Sequence, residues 1–276
     1  MFLLSLILFA LGIVSFSSMA ANIDIEQIPD LPIKNIPTIT APSDADKKSG
    51  VWQISLGGGM SYAPSYEGAA SNRLRFVPLL DASYNNGKFF ISPLRGIGYN
   101  FSEDKDVQYG IRLSIGHGRD QSVDPHLYGM GNINYVPEAG LFFNQRVGAL
   151  YISSGISSGS NGSHAELGTG VGFPLSVDDR LRLGVNLNWG DNRYSQTYFG
   201  VTQLQATASG GELVAYDANA GITEYALTSN WVHNYGKKWF GNAGLSFKQI
   251  SGAALQSPLT QRSSTSSVNY LLGYRF

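Results

Sequence analysis

The 276-residue chain contains no cysteine, so neither a disulfide nor a thiolate metal site can stabilise it. Histidine is scarce as well: His117, His126, His164 and His233 fall in separate segments, none within a nucleophile or metal-ligand motif. Charged residues make up 14% of the chain and nearly cancel, leaving a formal net charge of −1. That balance excludes the basic signature of a nucleic-acid binder and points to no acidic partner surface. Beyond the N-terminus no run of about 18 consecutive apolar residues occurs, so no transmembrane helix is available. Only helices and closed barrels satisfy every backbone polar group in lipid. An exported, membrane-embedded chain of this kind must therefore be a barrel.

The residues that are present favour that barrel. The chain is 43% hydrophobic, with 15 Tyr, 14 Phe and 33 Gly. Phe2 to Phe16 is almost wholly apolar and the small residues Ser17, Ser18, Ala20 and Ala21 follow. This predicts a secretory signal peptide over 1–20, cleaved after Ala20, although its first residues carry no Lys or Arg. Residues 21–50 hold Pro29, Pro32, Pro37 and Pro42 and end in a charged stretch from Asp44 to Gly50. They read as an extended periplasmic tail, either a linker or a docking peptide.

From Val51 to Phe276 apolar and polar residues alternate with period two. Trp52, Ile54, Leu56, Met60 and Tyr62 oppose Gln53, Ser55, Gly57, Gly59 and Ser61. Leu74, Phe76, Leu80 and Tyr84 oppose Arg73, Arg75, Asp81 and Ser83, and Leu181 to Trp189 opposes Arg180, Arg182, Asn186 and Asn188. At the end, Val268, Tyr270, Leu272, Tyr274 and Phe276 oppose Asn269, Gly273 and Arg275, with Leu271 as the exception. Segments of about 10–12 residues suit tilted membrane-crossing strands, and aromatics at their apolar ends suit the lipid–water boundary.

Short polar turns are expected at Asn85–Gly87, Ser176–Asp179 and Tyr235–Lys238, and longer Gly/Ser-rich links at 63–72, 158–164 and 251–265. The stretch 119–135 reads as a loop. About eleven strands can be counted directly, whereas single-chain bacterial barrels have an even number. The expectation is an all-β, antiparallel transmembrane barrel of twelve strands, with ten as the alternative. Residues 191–220 are the open question: Tyr198 to Leu204 supplies the twelfth strand, or the whole stretch is a folded loop.

A series of short motifs runs through the barrel region. It comprises Pro64, Ser65, Tyr66, Glu67 and Gly68 after the first strand, Pro78, Tyr84 to Phe90, Gly118–Arg119, Leu127 to Gly131 and Glu138 to Leu141. It continues with Tyr194, Tyr198, Phe199, Gly200 and Val201, then Ser209–Gly210, Tyr216, Gly221, Trp231, Ser257 to Leu259 and the final Tyr274 to Phe276. In this order the motifs resemble the MipA/OmpV family of outer-membrane proteins. Gly211 departs from the apolar residue common after the Ser-Gly pair. The resemblance implies a barrel in the outer membrane that acts as a non-enzymatic scaffold in peptidoglycan metabolism. Its implied partners are a lytic transglycosylase and a bifunctional murein synthase, together with membrane lipid. It also implies, for other relatives, porin-like or adhesive behaviour.

No catalytic, cofactor or metal site emerges from the residues. His117 to Asp120 reads as a strand end entering a turn, and Glu67 as an isolated acid in a loop. Gly57 to Gly59 lacks the Lys-Ser/Thr of a phosphate loop and instead leaves room for close packing. The polar faces carry Arg73, Arg75, Asp81, Arg112, Glu138, Arg180, Arg182 and Glu224. In a barrel of this size they are expected to face a narrow lumen and either fill it through ion pairs or line a small passage. A small diffusion channel is therefore the competing functional reading.

Overall fold

The computed structural model describes residues 50–276. The proposed signal peptide and nearly all of the proposed tail lie outside the described residues. Twelve strands form one closed antiparallel barrel in which chain neighbours are sheet neighbours. They are β1 Trp52–Pro64, β2 Asn72–Tyr84, β3 Phe89–Ser92, β4 Gly96–Asn100, β5 Val107–Gly116 and β6 Val136–Val147. The second half comprises β7 Leu150–Gly159, β8 Gly162–Pro174, β9 Asp179–Gly190, β10 Gly221–Tyr235, β11 Trp239–Ile250 and β12 Ser264–Arg275.

Alternation sets the two faces. On β1, Leu56, Met60 and Tyr62 are exposed outward, while Ser55 and Ser61 are buried inward. At one end, aromatic clusters mark the boundary of the apolar belt: Trp52 packs on Tyr84 and Phe89, and Tyr274 on Trp239 and Phe276. The short turns also lie at this end, here called the turn end. Asn85, Asn86 and Gly87 all adopt positive φ, the geometry a tight hairpin of right-handed twist requires. The opposite end carries the loops 65–71, 117–135, 191–220 and 251–263.

The barrel closes between β1 and β12, with Leu56 opposite Tyr274 and Met60 opposite Tyr270. A Cβ at Gly57 would strike the carbonyl of Leu272, and one at Gly59 that of Tyr270. These glycines therefore permit the close approach of backbones at the seam, as the sequence suggests.

The count of twelve is reached differently from the sequence count. Residues 191–220 form a folded loop with helices α1 (Asn192–Phe199) and α2 (Gln203–Ala208). Asp191 caps α1 by accepting from Tyr194 N, and Thr202 with Gln205 forms a capping box on α2. The even number is completed by β3 and β4, a hairpin of only 4 and 5 residues. The link at 158–164 is also shorter than its composition suggests: β7 and β8 pair up to Gly159 opposite Gly162. Only Ser160 and Asn161 remain between them. A further short helix, α3 (Gly252–Gln256), lies in the last long loop.

Candidate functional site

Part of the inner face is closely packed, while inward Asn144, Asn186 and Asn188 keep partial exposure. Large inward side chains lie across glycines on neighbouring strands, where a Cβ would collide with them. Phe90 covers Gly98, Phe142 approaches Gly110, Tyr151 covers Gly170 and Gly184, Phe240 covers Gly273 and Asn269 covers Gly244. Asn242, Phe240, Leu271 and Val77 have no measurable solvent contact at all. Leu271, the residue out of pattern in the sequence, thus belongs to an inward apolar patch with Leu79 and Phe240 near Gly59 and Gly273. Packing of this kind leaves these atoms no room for water, let alone a solute.

The charged residues predicted from the sequence sit as follows. Arg75 donates to the carbonyls of Pro64 (3.1 Å) and Ser65 (2.6 Å), and Arg73 lies half-buried on the same face of β2. Asp81 accepts from Arg95 at 2.7 Å. Arg112, Glu138 and Glu224 are buried. Arg112 approaches Ser157 Oγ (3.4 Å) and Glu166 (4.0 Å). Glu224 is held by Asn188 and by Lys248 at 3.1 Å. Arg180 is exposed and Arg182 half-buried at the turn end, where Arg275 stacks on Phe240 with 4.3 Å to the ring centre.

Sequence reasoning missed the centre of this network. His164 lies between Glu138 (3.8 Å) and Glu166 (3.9 Å), with the Tyr194 ring 5.1 Å away. Its strand β8 carries Gly168, Gly170 and Gly172 on the same face, which hid the inward period. His164 and Glu166, two residues apart in an alternating segment, were the available signal. These carboxylate separations from His164 exceed hydrogen-bond length. Among the described residues no group of three or more His, Asp or Glu side chains could hold a metal.

The second feature is a cap across the end opposite the turns. Tyr66, Ala69, Leu127, Met130, Val201, Ala206, Leu213 and Leu259 form one buried apolar cluster. Tyr198, Phe199, Ala218, Ile250 and Ala254 form another, and Tyr216 packs against both. Hydrogen bonds tie the loops together: Tyr66 Oη donates to Leu259 O (2.8 Å) and Tyr198 Oη to His117 O (2.7 Å). Ser257 Oγ donates to Phe199 O at 2.6 Å, His126 Nε2 meets Pro258 O at 2.9 Å, and Ser71 bonds Asp124.

Arg119 donates to Tyr198 O at 2.8 Å, with its guanidinium 5.9 Å from the Tyr66 ring centre. Burial lowers the Arg119 pKa to about 10, an effect opposed by Tyr66 and other neighbours. Burial, reinforced by Asp124, pushes the Tyr66 hydroxyl well above its ordinary value of 10.0.

Motif positions far apart in the sequence meet in this cap. Tyr66, Tyr198, Phe199 and Val201 lie in its clusters, and Gly200 ends α1. Gly68 holds φ +89° while its carbonyl accepts from Gln261 N and Arg262 N. Glu67 faces Lys248 at 3.7 Å. Pro64 ends β1 beside the cap. Trp231 and Phe276 stand apart at the turn end: Trp231 Nε1 donates to Asp179 (3.0 Å), and Phe276 N to Ile54 O (3.0 Å).

A closed antiparallel wall, apolar outside and packed inside, with short turns at one end and a folded cap at the other, defines an outer-membrane β-barrel. A model of the family described as MltA-interacting protein MipA matches residues 56–276, and the chain belongs to that family. No curated protein matches it. Among solved structures it is similar to LpxR from Salmonella typhimurium, with 11% identity over 82% of this chain and 99% of that one and a TM-score of 0.42. It is similar also to an outer membrane channel from Pseudomonas putida F1, with 8% identity, 85% and 100% coverage and a TM-score of 0.40. An anion-selective porin from Comamonas acidovorans gives 9% identity, 83% and 99% coverage and a TM-score of 0.39. At such distances none of these bears on activity.

Proposed function

We propose that this outer-membrane barrel is a non-enzymatic scaffold in peptidoglycan metabolism. In this reading its periplasmic surface brings a lytic transglycosylase together with a bifunctional murein synthase. The observation that carries the reading is the tight inner packing around Val77, Phe240, Asn242 and Leu271 together with a folded cap, which favours outer surfaces over a passage as working parts. The family description, which names interaction with MltA, supports the lytic partner. The turn end is the periplasmic end in this reading, because outer-membrane barrels keep short turns inside and long loops outside. The surface available to periplasmic enzymes is then the set of short turns together with the 21–50 tail. Spaced prolines lower the ordering cost when such a tail binds in a groove or along a sheet edge.

The test is retention of murein enzymes from solubilised envelopes on a column bearing the mature chain, identified by mass spectrometry. The scaffold reading expects both enzyme types to be retained, equally by Arg112→Gln and Arg182→Gln variants, and more weakly after deletion of residues 23–48. Equal capture by the truncated chain transfers the contact to the turns. Failure to retain either enzyme removes the scaffold reading. The competing reading, a small diffusion channel, draws on the polar inner face and expects conductance that changes with those arginines.

A further inference from the structure

The wall of this barrel is incomplete in its capped half. β2 is 13 residues long, yet β3 pairs with it only at Ala82, Ser83 and Tyr84. From Asn72 to Asp81 its ladder neighbour is β1 alone. Across the gap, β4 pairs with β5 only as far as Leu113, so Ser114, Ile115 and Gly116 have β6 as their single neighbour. Among the described residues no ladder joins β2 to β5. Two strand edges therefore flank an opening above the short hairpin.

Its sill is fixed. In the turn between β3 and β4, Arg95 binds Asp81 at 2.7 Å and lies 4.6 Å over the Phe90 ring. Phe90 in turn meets Phe142 edge-on at 5.6 Å. The opening is thus a built feature of the barrel and not a frayed end.

Its surroundings are apolar and continuous with the lipid-facing belt. Leu74 and Phe76 flank it on β2, Leu113 and Ile115 on β5, all exposed outward. An outward groove of about 650 Å³ lies on the β5 side of the opening, across β3 to β7, walled by residues including Leu113, Ile97, Ile111, Leu141 and Ile156 over a floor at Ala139 and Gly140. Open strand edges are untenable against bare hydrocarbon, because their N–H and C=O groups go unsatisfied. An occupant must therefore bring a chain for the groove and polar groups for the edges. Both donors and acceptors are needed, since a strand edge presents carbonyls as well as amides. Ester-linked phospholipid chains offer acceptors only. Amide-linked, hydroxylated acyl chains offer both.

We propose that the gap between β2 and β5 is a lateral binding site for one lipopolysaccharide molecule of the outer leaflet. An acyl chain lies in the groove, and its amide and hydroxyl groups hydrogen-bond to the two open edges. The site is independent of the scaffold reading, which concerns the other end of the barrel.

The absence of cysteine allows a single fluorophore to be placed at will. Bimane is attached at Ser114→Cys, on the inner face of the β5 edge, and at Asn186→Cys, on the inner face of the fully paired β9. Each protein is refolded into phosphatidylcholine vesicles containing chain-nitroxide phosphatidylcholine, with folding checked by heat-modifiable gel migration. Arg73→Cys, on the opposite side of the gap, replaces Ser114→Cys should that variant fail to fold. The proposal expects quenching severalfold stronger at 114 than at 186, and its relief by unlabelled lipopolysaccharide but not by unlabelled phosphatidylcholine in equal amount. Equal quenching at the two sites, or quenching of the 114 probe by an aqueous nickel chelate alone, overturns it. Relief by both lipids alike overturns the assignment to lipopolysaccharide.

Discussion

The wall and the cap of this barrel follow opposite rules within one chain. Along the wall, apolar side chains such as Leu113 and Ile115 face outward at 61% and 63% exposure, while Glu138 and Glu224 are turned inward at 2% each. In the cap the order is the reverse: Leu127, Val201, Leu259 and Phe199 are buried in apolar clusters of its own. The difference follows from the solvent each part meets. Lipid favours the wall's inversion, whereas the cap, projecting beyond the belt, can gain stability only by building a hydrophobic core of its own. The cap is accordingly a small folded unit made from four loops that the barrel strands hold together.

The largest expected effect separates the two parts. Phe199→Ala should cost the cap about 3–5 kcal/mol through the lost core packing. The wall should be nearly untouched. Limited proteolysis should then cut within 191–220 while heat-modifiable migration persists. Loss of both together would mean that the wall and the cap fold as one unit.

A charge on the lipid face probes the wall alone. Val185→Arg should destabilise by about 2–4 kcal/mol if the site lies at mid-bilayer. Asn186→Arg, on the inner face, should be milder, as read by urea unfolding in vesicles. Equal costs would contradict the assignment of faces.

Smaller effects sharpen the account of the cap. Ser257 donates to Phe199 O and accepts from Leu259 N at 3.1 Å, so it links two loops. Ser257→Ala should cost about 1–2 kcal/mol, seen as faster cutting of the cap and an unchanged wall. Tyr66→Phe should cost about 1 kcal/mol by removing the bond to Leu259 O.

Tyr66 also brings a pH dependence. Its hydroxyl titrates above the ordinary 10.0 in the folded cap, so its contribution is fully present below that pH and is lost as pH climbs past it. Arg119, lowered to about 10, works the other way: its buried charge is a cost at neutral pH that is relieved as the folded cap releases the proton. Following cap proteolysis through this range, the Tyr66→Phe variant should lose the alkaline weakening that Tyr66 contributes. A profile unchanged by that substitution would contradict the burial assigned to its hydroxyl.

The wall was legible in the sequence because lipid enforces a strict period of two, clear around Val185 and in the closing strand. The β3–β4 hairpin was not, since strands of 4 and 5 residues are too short to establish a period. Residues 198–204 misled for a local reason. Tyr198, Phe199 and Val201 have strand-like propensity, yet they are buried together because α1 ends there against the cap core. Asp191 and the Thr202–Gln205 box were helix-start signals already present in the sequence.

The cap's assembly was not readable, because the contacts that make it are long-range: Tyr66 and Leu259 are 193 positions apart. The inner network was half legible. Arg112, Glu138 and Glu224 stood out by alternation, whereas His164 and Lys248 gained meaning only from the neighbours that closure supplies.

The proposed function rests on a tightly packed, capped barrel that works through its surface rather than a passage. Planar-bilayer recording of the refolded protein tests it most directly. The account predicts insertion, verified by heat-modifiable migration of the same sample, with no discrete conductance steps for the intact protein or for the Arg112→Gln and Arg182→Gln variants. Stable, reproducible steps from the intact chain, shifted in size or ion preference by either substitution, would contradict it.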